Sequence, residues 1–201
     1  ATSGAGVRIT SGTIGALLNA QEQVINSAFN NIGLVAIGVA EGLNSVHRRG
    51  MDLEGNLAGD FLTNINTSLA VSNRTIGGSS NSLPIDQVVD VAISDISRLT
   101  TSDYVLTFTG ATTYVLSRVS DGASNTALDP ALSGSFAGLP ATLTVDGLTI
   151  DLDRPSGNFA VGDSFRIRPT RDFSAVVALE VELGEQVALA LPIRTDTNIN
   201  N

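Results

Sequence analysis

One segment limits what this chain can become. Residues 12–47 are the only run long and periodic enough to form a single helix, of about nine to ten turns. Leu18, Ile25, Ile32, Val39 and Val46 recur at intervals of seven, and Ala28 and Val35 follow Ile25 and Ile32 by three, the spacing of a coiled-coil seam. Phe29, Ala36 and Leu43 widen that seam into an apolar stripe that needs cover. No other segment repeats the pattern, so the sequence supplies one long helix and no long partner for it.

Glycines inside this run are costly, each about 1 kcal/mol worse than alanine in a helix interior. Gly38 and Gly42 stand four apart on one face. They mark either a gentle bend or a groove where another backbone comes close. The uncovered stripe favours the groove. Ser11 or Thr13 is placed to cap the start, after a short extended entry over residues 1–11. Gly50 stops the helix after His47, Arg48 and Arg49, whose positive charge suits a helix C-terminus. The acids and glycines of residues 52–60 do not follow the ligand spacing of an EF-hand loop and read as a plain turn.

After residue 62 the composition shifts to Asn, Ser, Thr and Gly, with residues 77–82 the most linker-like patch. This divides the chain into a helix-and-turn part, 1–62, and a second part, 63–201. In the second part the apolar period becomes two. Val89, Val91 and Ile93, then Tyr104, Leu106 and Phe108, then Tyr114 and Leu116 alternate with outward residues. Leu143 and Val145 are joined to Leu148, Ile150 and Leu152 by Asp146-Gly147, the dipeptide of a type I′ hairpin turn. Residues 164–168 and 174–182 read as further strands, and residues 184–191 as a short helical turn before Pro192. The expected fold is α+β: one long N-terminal helix, then a small antiparallel β domain built as a sandwich or barrel.

The chain of 201 residues carries twenty acids against eleven basic residues, for a formal charge of −9. Such a field repels phosphate backbones and anionic lipid, which excludes nucleic-acid and membrane-surface partners. With 42% hydrophobic residues the chain has enough apolar material for a core. It contains no cysteine and one histidine, which excludes disulfides, thiolate metal sites and multi-histidine metal centres. Starting at Ala1 and closing on an Asn/Thr-rich tail, it reads as a piece of a longer protein, with neither a signal peptide nor a membrane span.

The residues offer little for catalysis. His47 lies beside Arg48 and Arg49, which disfavour the imidazolium a general base must become, so it reads as a packing or capping residue. Ser135, within residues 134–138, stands one position too early for a nucleophile elbow, and the segment reads as a loop. Asp151 and Asp153 share a strand face and read as solvating charges at a sheet edge, not as a glycosidase pair. There is no lysine for a Schiff base, no phosphate-cradling glycine loop and no tryptophan. No catalytic, cofactor-binding or metal-binding residue is therefore assigned. The residues singled out are those of the helix-packing surface: Leu18, Ile25, Ile32, Val35, Gly38, Val39, Gly42 and Val46.

The order of several short runs carries a family likeness. Residues 12–19 (GTIGALLN), 43–47 (LNSVH), 50–55 (GMDLEG) and 59–62 (GDFL) resemble the central region of flagellar hook-associated protein 1. So do 101–104 (TSDY), 114–118 (YVLSR), 145–148 (VDGL) and 162–170 (GDSFRIRPT). The resemblance implies a non-enzymatic structural protein of the bacterial flagellum, exported unfolded and assembled as a ring at the hook-filament junction. It implies as partners other subunits of its own kind, the hook protein and the next hook-associated protein, with no cofactor. It further implies that the long helix packs against helices from the two chain termini, which are not in this sequence, so that the fragment stands as a monomer or dimer. The competing readings are a secreted adhesin or ligand-binding β domain on a helical stalk and, more weakly, a hydrolase using His47 or the pair Asp151 and Asp153.

Overall fold

The computed structural model describes residues 12–20, 24–82, 87–119 and 132–188. Helix α1 (Gly12–Ala20) is followed by a π-helical step at Val24 and Ile25 that leads into α2 (Asn26–His47). Thr13 lies within α1, whereas Ser11 and the 1–11 entry fall outside the described residues. The C-terminus of α2 closes as its charges predict. The Arg48 and Gly50 amides donate to the carbonyls of Asn44 and His47, and the Arg49 Nε donates to the Ser45 carbonyl at 2.9 Å. The 52–60 segment is a plain turn: one Asp52 carboxylate oxygen accepts the amides of Glu54 and Asn56.

Among the described residues, eight strands form two open antiparallel sheets. They are β1 (Thr75–Gly77), β2 (Val88–Ile93), β3 (Tyr104–Phe108), β4 (Thr113–Arg118), β5 (Gly134–Ser135), β6 (Ala141–Val145), β7 (Leu148–Asp153) and β8 (Ser164–Ile167). One sheet runs β1-β8-β3-β4-β5 and the other β2-β7-β6. Alternation sets which side chains turn inward: Val89, Val91 and Ile93 are buried on β2, as are Leu148, Ile150 and Leu152 on β7. They share one apolar cluster with Leu106, Leu116 and Ile167 of the larger sheet. Phe108 stacks on Phe159 at 4.0 Å and meets Phe165 edge-on. Neither sheet closes, so the barrel alternative is not realised. The Asp146-Gly147 turn has both residues at positive φ, 48° and 77°, as a type I′ hairpin requires.

Three expectations differ from the structure. Residues 63–82, of which 77–82 read as the most linker-like patch, are structured. They hold α3 (Ser68–Asn73), capped by the Thr67 hydroxyl, and β1, and the Gly78 amide donates to Ser164 in β8. Small polar residues here satisfy buried backbone groups instead of staying in water. Residues 174–182 do not form a strand. A 3-10 turn occupies Phe173–Ala175, and only an isolated bridge, Leu62 with Leu179, follows. The facing run, residues 61–63, is too short to support a ladder. Finally, Gly134 and Ser135, read as loop, pair with Tyr114 and Thr113. The short helical turn is present at Gly184–Gln186, and Pro192 lies outside the described residues.

Candidate assembly surface

Helix α2 has two faces with opposite characters. Asn30, Gly33, Ile37, Ala40, Asn44 and His47 are buried, at the same alternating spacing of three and four as the apolar stripe. Each follows a stripe residue directly in sequence: Phe29 and Asn30, Ile32 and Gly33, Ala36 and Ile37, Val39 and Ala40, Leu43 and Asn44, Val46 and His47. One residue is about 100° of helical turn. The buried face is therefore a quarter-turn and a little more around from the stripe.

Polar side chains fasten that buried face at both ends. Near the N-terminal end, the Asn30 amide donates to the Thr101 carbonyl (2.9 Å) and to Asp103 (3.0 Å), and its oxygen accepts from the Arg171 Nε (3.1 Å). The Asp103 carboxylate is buried and also accepts from Arg171 and, at 3.3 Å, from Arg166. Gly33 lies against the Thr170 carbonyl so closely that a Cβ built there would be 1.9 Å from its oxygen. Among the described residues this is the one α-helical glycine that a close approach demands.

At the other end, Asn44 is fully buried. Its oxygen accepts the amides of Phe61 and Leu62, and its NH2 donates to the Leu62 carbonyl. His47 bonds through Nδ1 to the Gly59 carbonyl (2.9 Å) and through Nε2 to the Ala188 amide (3.0 Å). An amide can only donate, so Nε2 accepts and the ring carries its proton on Nδ1. The ring also packs on Phe61 at 5.3 Å. Arg48 spans Glu41 (2.8 Å) and Asp60 (2.5 Å), whose hydrogen bonds hold its pKa above the ordinary arginine value.

The stripe has no such cover. Ile25, Phe29, Ile32, Val35, Val39, Leu43 and Val46 are 45% to 66% exposed, a contiguous apolar strip of the kind that marks an interaction site. A Cβ on Gly38 or Gly42 would meet nothing within 4 Å. The Leu18 side chain lies outside the described residues. Of the helix-packing residues named from sequence, Ile32, Val35, Gly38, Val39, Gly42 and Val46 of α2 and Ile25 just before it are exposed, whereas the fastening face, being small and polar, escaped an apolar count. Ile37 and Ala40 in register with Asn30, Gly33, Asn44 and His47 are the signal that marks it.

The residues considered for catalysis are engaged elsewhere. His47 is committed to two backbone groups, Asp151 is exposed and accepts from the Thr142 hydroxyl (2.7 Å), and Asp153 accepts the Arg154 amide. Among the described residues, no group of three or more His, Cys, Asp or Glu is placed to hold a metal ion.

Comparison with known proteins decides the family. Residues 2–62 match the model of the flagellar hook-associated protein FlgK helical domain, and residues 77–169 match that of the flagellar hook-associated protein 1 D2-like domain. This chain belongs to the flagellar hook-associated protein 1 family. It is 24% identical over 188 residues to flagellar hook-associated protein 1 of Escherichia coli (strain K12), covering 94% of this chain and 30% of that protein. The Salmonella typhimurium relative is 23% identical over 192 residues, covering 96% and 31%. The hook junction protein FlgK of Burkholderia pseudomallei superposes with a TM-score of 0.71 at 26% identity, over 90% of this chain and 30% of that one. The chain thus spans a little under one third of the hook-associated proteins it matches, and its α+β fold is that of the solved junction protein.

Proposed function

We propose that this chain is the central part of a structural subunit that joins flagellar hook to filament, without catalysis, after export from the cell. In this reading residues 1–62 belong to an inner helical domain and residues 63–201 to a β domain. The α2 stripe, with Gly38 and Gly42 on its flank, is where helices outside this sequence pack. The observation that carries the reading is a helix fixed by its polar face so that an uncovered apolar seam is presented outward at a set angle. An apolar seam of this length is costly in water and gains about 25 cal/mol per Å² when a partner helix covers it. The relatives' names supply the setting, hook-associated and junction protein. Partners in that setting are further copies in a ring, the hook protein and the next hook-associated protein.

The test is to place Val39→Asp and Ile32→Asp in the full-length protein and measure its incorporation at the hook-filament junction, with Asp153→Ala as the control. Both seam variants are expected to fold, because these side chains are exposed in this chain, and to lose assembly. Asp153→Ala is expected to assemble normally. Normal assembly by Val39→Asp would remove the seam from the mechanism.

A further inference from the structure

An imidazole takes up a proton between about pH 5 and pH 8, and His47 is the one histidine of the chain. It is only 7% exposed, and both ring nitrogens are in use, Nδ1 on the Gly59 carbonyl and Nε2 on the Ala188 amide. A proton affects the two contacts differently. Nδ1 already donates, so its bond survives protonation. Nε2 accepts from an N–H, and an imidazolium has no lone pair to offer there. Proton uptake therefore sets two donors against each other, and the bond to Ala188 is lost.

The segment held by Nε2 has few other ties. Beyond Glu180, whose amide donates to the Phe61 carbonyl, residues 181–188 make two hydrogen bonds to the rest of the molecule among the described residues. The Glu185 carbonyl accepts the Leu53 amide at 3.1 Å, and the Ala188 amide meets His47 at 3.0 Å. The other bonds are local: the Gln186 and Val187 amides return to Leu183 and Gly184, and the Gln186 side chain accepts the amides of Glu182 and Leu183. Residues 182–186 are exposed.

The charges around the ring lean toward proton uptake. Asp52 and Asp60 of the turn after α2 and Glu180 of the returning segment line, with His47, a cavity of about 440 Å³. Glu182 and Glu185 lie on the segment itself. Arg48 and Arg49 on α2 oppose the proton, but Arg48 is paired with Glu41 and Asp60. Once the amide has moved, the cavity gives a new Nε2–H solvent and carboxylate oxygens as acceptors. We propose that His47 is a pH-sensitive latch: neutral, it holds residues 181–188 at the end of α2, and protonated, it releases them. The proton binds the released form, so release grows as pH falls through the imidazole range.

The experiment follows the chain by NMR from about pH 7.5 to about pH 5, above the ordinary carboxylate range. At the upper end the ring nitrogens of His47 are expected to show the Nδ1–H tautomer and the Ala188 amide to be protected from hydrogen exchange. That protection is expected to fall at least about tenfold toward the lower end, with the midpoint of the His47 ring titration, while the amides of β7 stay protected. His47→Gln keeps a neutral acceptor toward Ala188 while giving up the Gly59 bond, and whatever protection it retains is expected to be independent of pH. An Ala188 amide unprotected at about pH 7.5, or one whose protection stays constant while the ring titrates, would overturn the proposal. So would a His47 ring that takes up no proton in this range. Each of these is read on the parent chain and does not depend on the variant. The same pH dependence in His47→Gln would also overturn it and assign the release to Asp52, Asp60 or Glu180.

Discussion

Replacing Gly33 by alanine sets two effects of opposite sign against each other. Intrinsic helix propensity favours alanine by about 1 kcal/mol in a helix interior. The new Cβ, however, would lie 1.9 Å from the Thr170 oxygen and 2.6 Å from its carbonyl carbon, both backbone atoms. Relief requires the helix and the 170–171 segment to part by roughly 1 Å, given an ordinary carbon-oxygen separation. That segment carries Arg171, whose bond to Asn30 is already 3.1 Å and would pass beyond hydrogen-bonding range. Overpacking costs about 1–3 kcal/mol, and the lost charge-assisted bond adds about 1.5–3 kcal/mol. After partial relaxation the net expectation is a loss of about 2 kcal/mol, or roughly 4–8 °C in Tm for a chain of this size. Gly38→Ala and Gly42→Ala meet open space and should each raise stability by up to about 1 kcal/mol. Thermal melts followed by far-UV circular dichroism compare the three. If Gly33→Ala melts above the parent chain, as Gly38→Ala should, α2 is not seated on residues 170–171 and the fastening described above is wrong.

Asp103→Ala leaves Arg171 and the Asn30 amide without their shared acceptor and is expected to cost about 3 kcal/mol in urea denaturation, while Asp90→Ala on the solvent face of β2 changes it little. Asn44→Ala strands two amides and a carbonyl at residues 61–62 and should cost about 2–3 kcal/mol; faster hydrogen exchange at Phe61 and Leu62 is the direct readout. For acid stability, burial pushes the Asp146 carboxyl up, but hydrogen bonds from Arg118 and Tyr104 outweigh it and leave the pKa below its ordinary value. Asp163 behaves likewise, burial being outweighed by the Ser82 and Ala160 amides and the Ser82 and Gln87 side chains. Folded pKa values below the unfolded ones give stability that is present above about pH 4 and is lost as pH falls through the folded values. Urea midpoints should fall steeply below pH 4, and Asp163→Asn should flatten that fall; an unchanged slope would contradict the assignment.

The strands were legible because their inward side chains alternate without exception at Val89, Val91 and Ile93 and again at Leu148, Ile150 and Leu152. Asp146-Gly147 fixed a hairpin by backbone chemistry alone. The open stripe of α2 was legible for the same reason: Ile25, Ile32, Val39 and Val46 are large and apolar. Its opposite number was not, because Asn30, Gly33, Asn44 and His47 gain by hydrogen bonding and close approach, which leave no apolar period in a sequence. The structure of residues 63–82 was hidden for a related reason. Asn66 and Arg74 look like surface residues until their partners, the carbonyls of Val91, Ile93 and Pro169, are known, and those partners are distant in sequence. Residues 174–182 carried a strand's alternation, yet Leu179 found a facing residue only at Leu62. A period shows which side of a segment is apolar; it does not show whether another strand is available to pair with it.

The fastening of α2 also bears on which positions are free to vary. Asn44 grips the main chain of Phe61 and Leu62, His47 that of Gly59 and Ala188, and Arg74 that of Ile65, Val91 and Pro169. A grip on peptide groups does not read the side chains attached to them. These hydrogen bonds would survive exchange of the gripped side chains, although Phe61, packed on the His47 ring, and Ile65 and Val91, buried in the core, are held by packing as well; the few gripping side chains cannot be exchanged. The geometry that presents the seam thus rests on a handful of gripping residues.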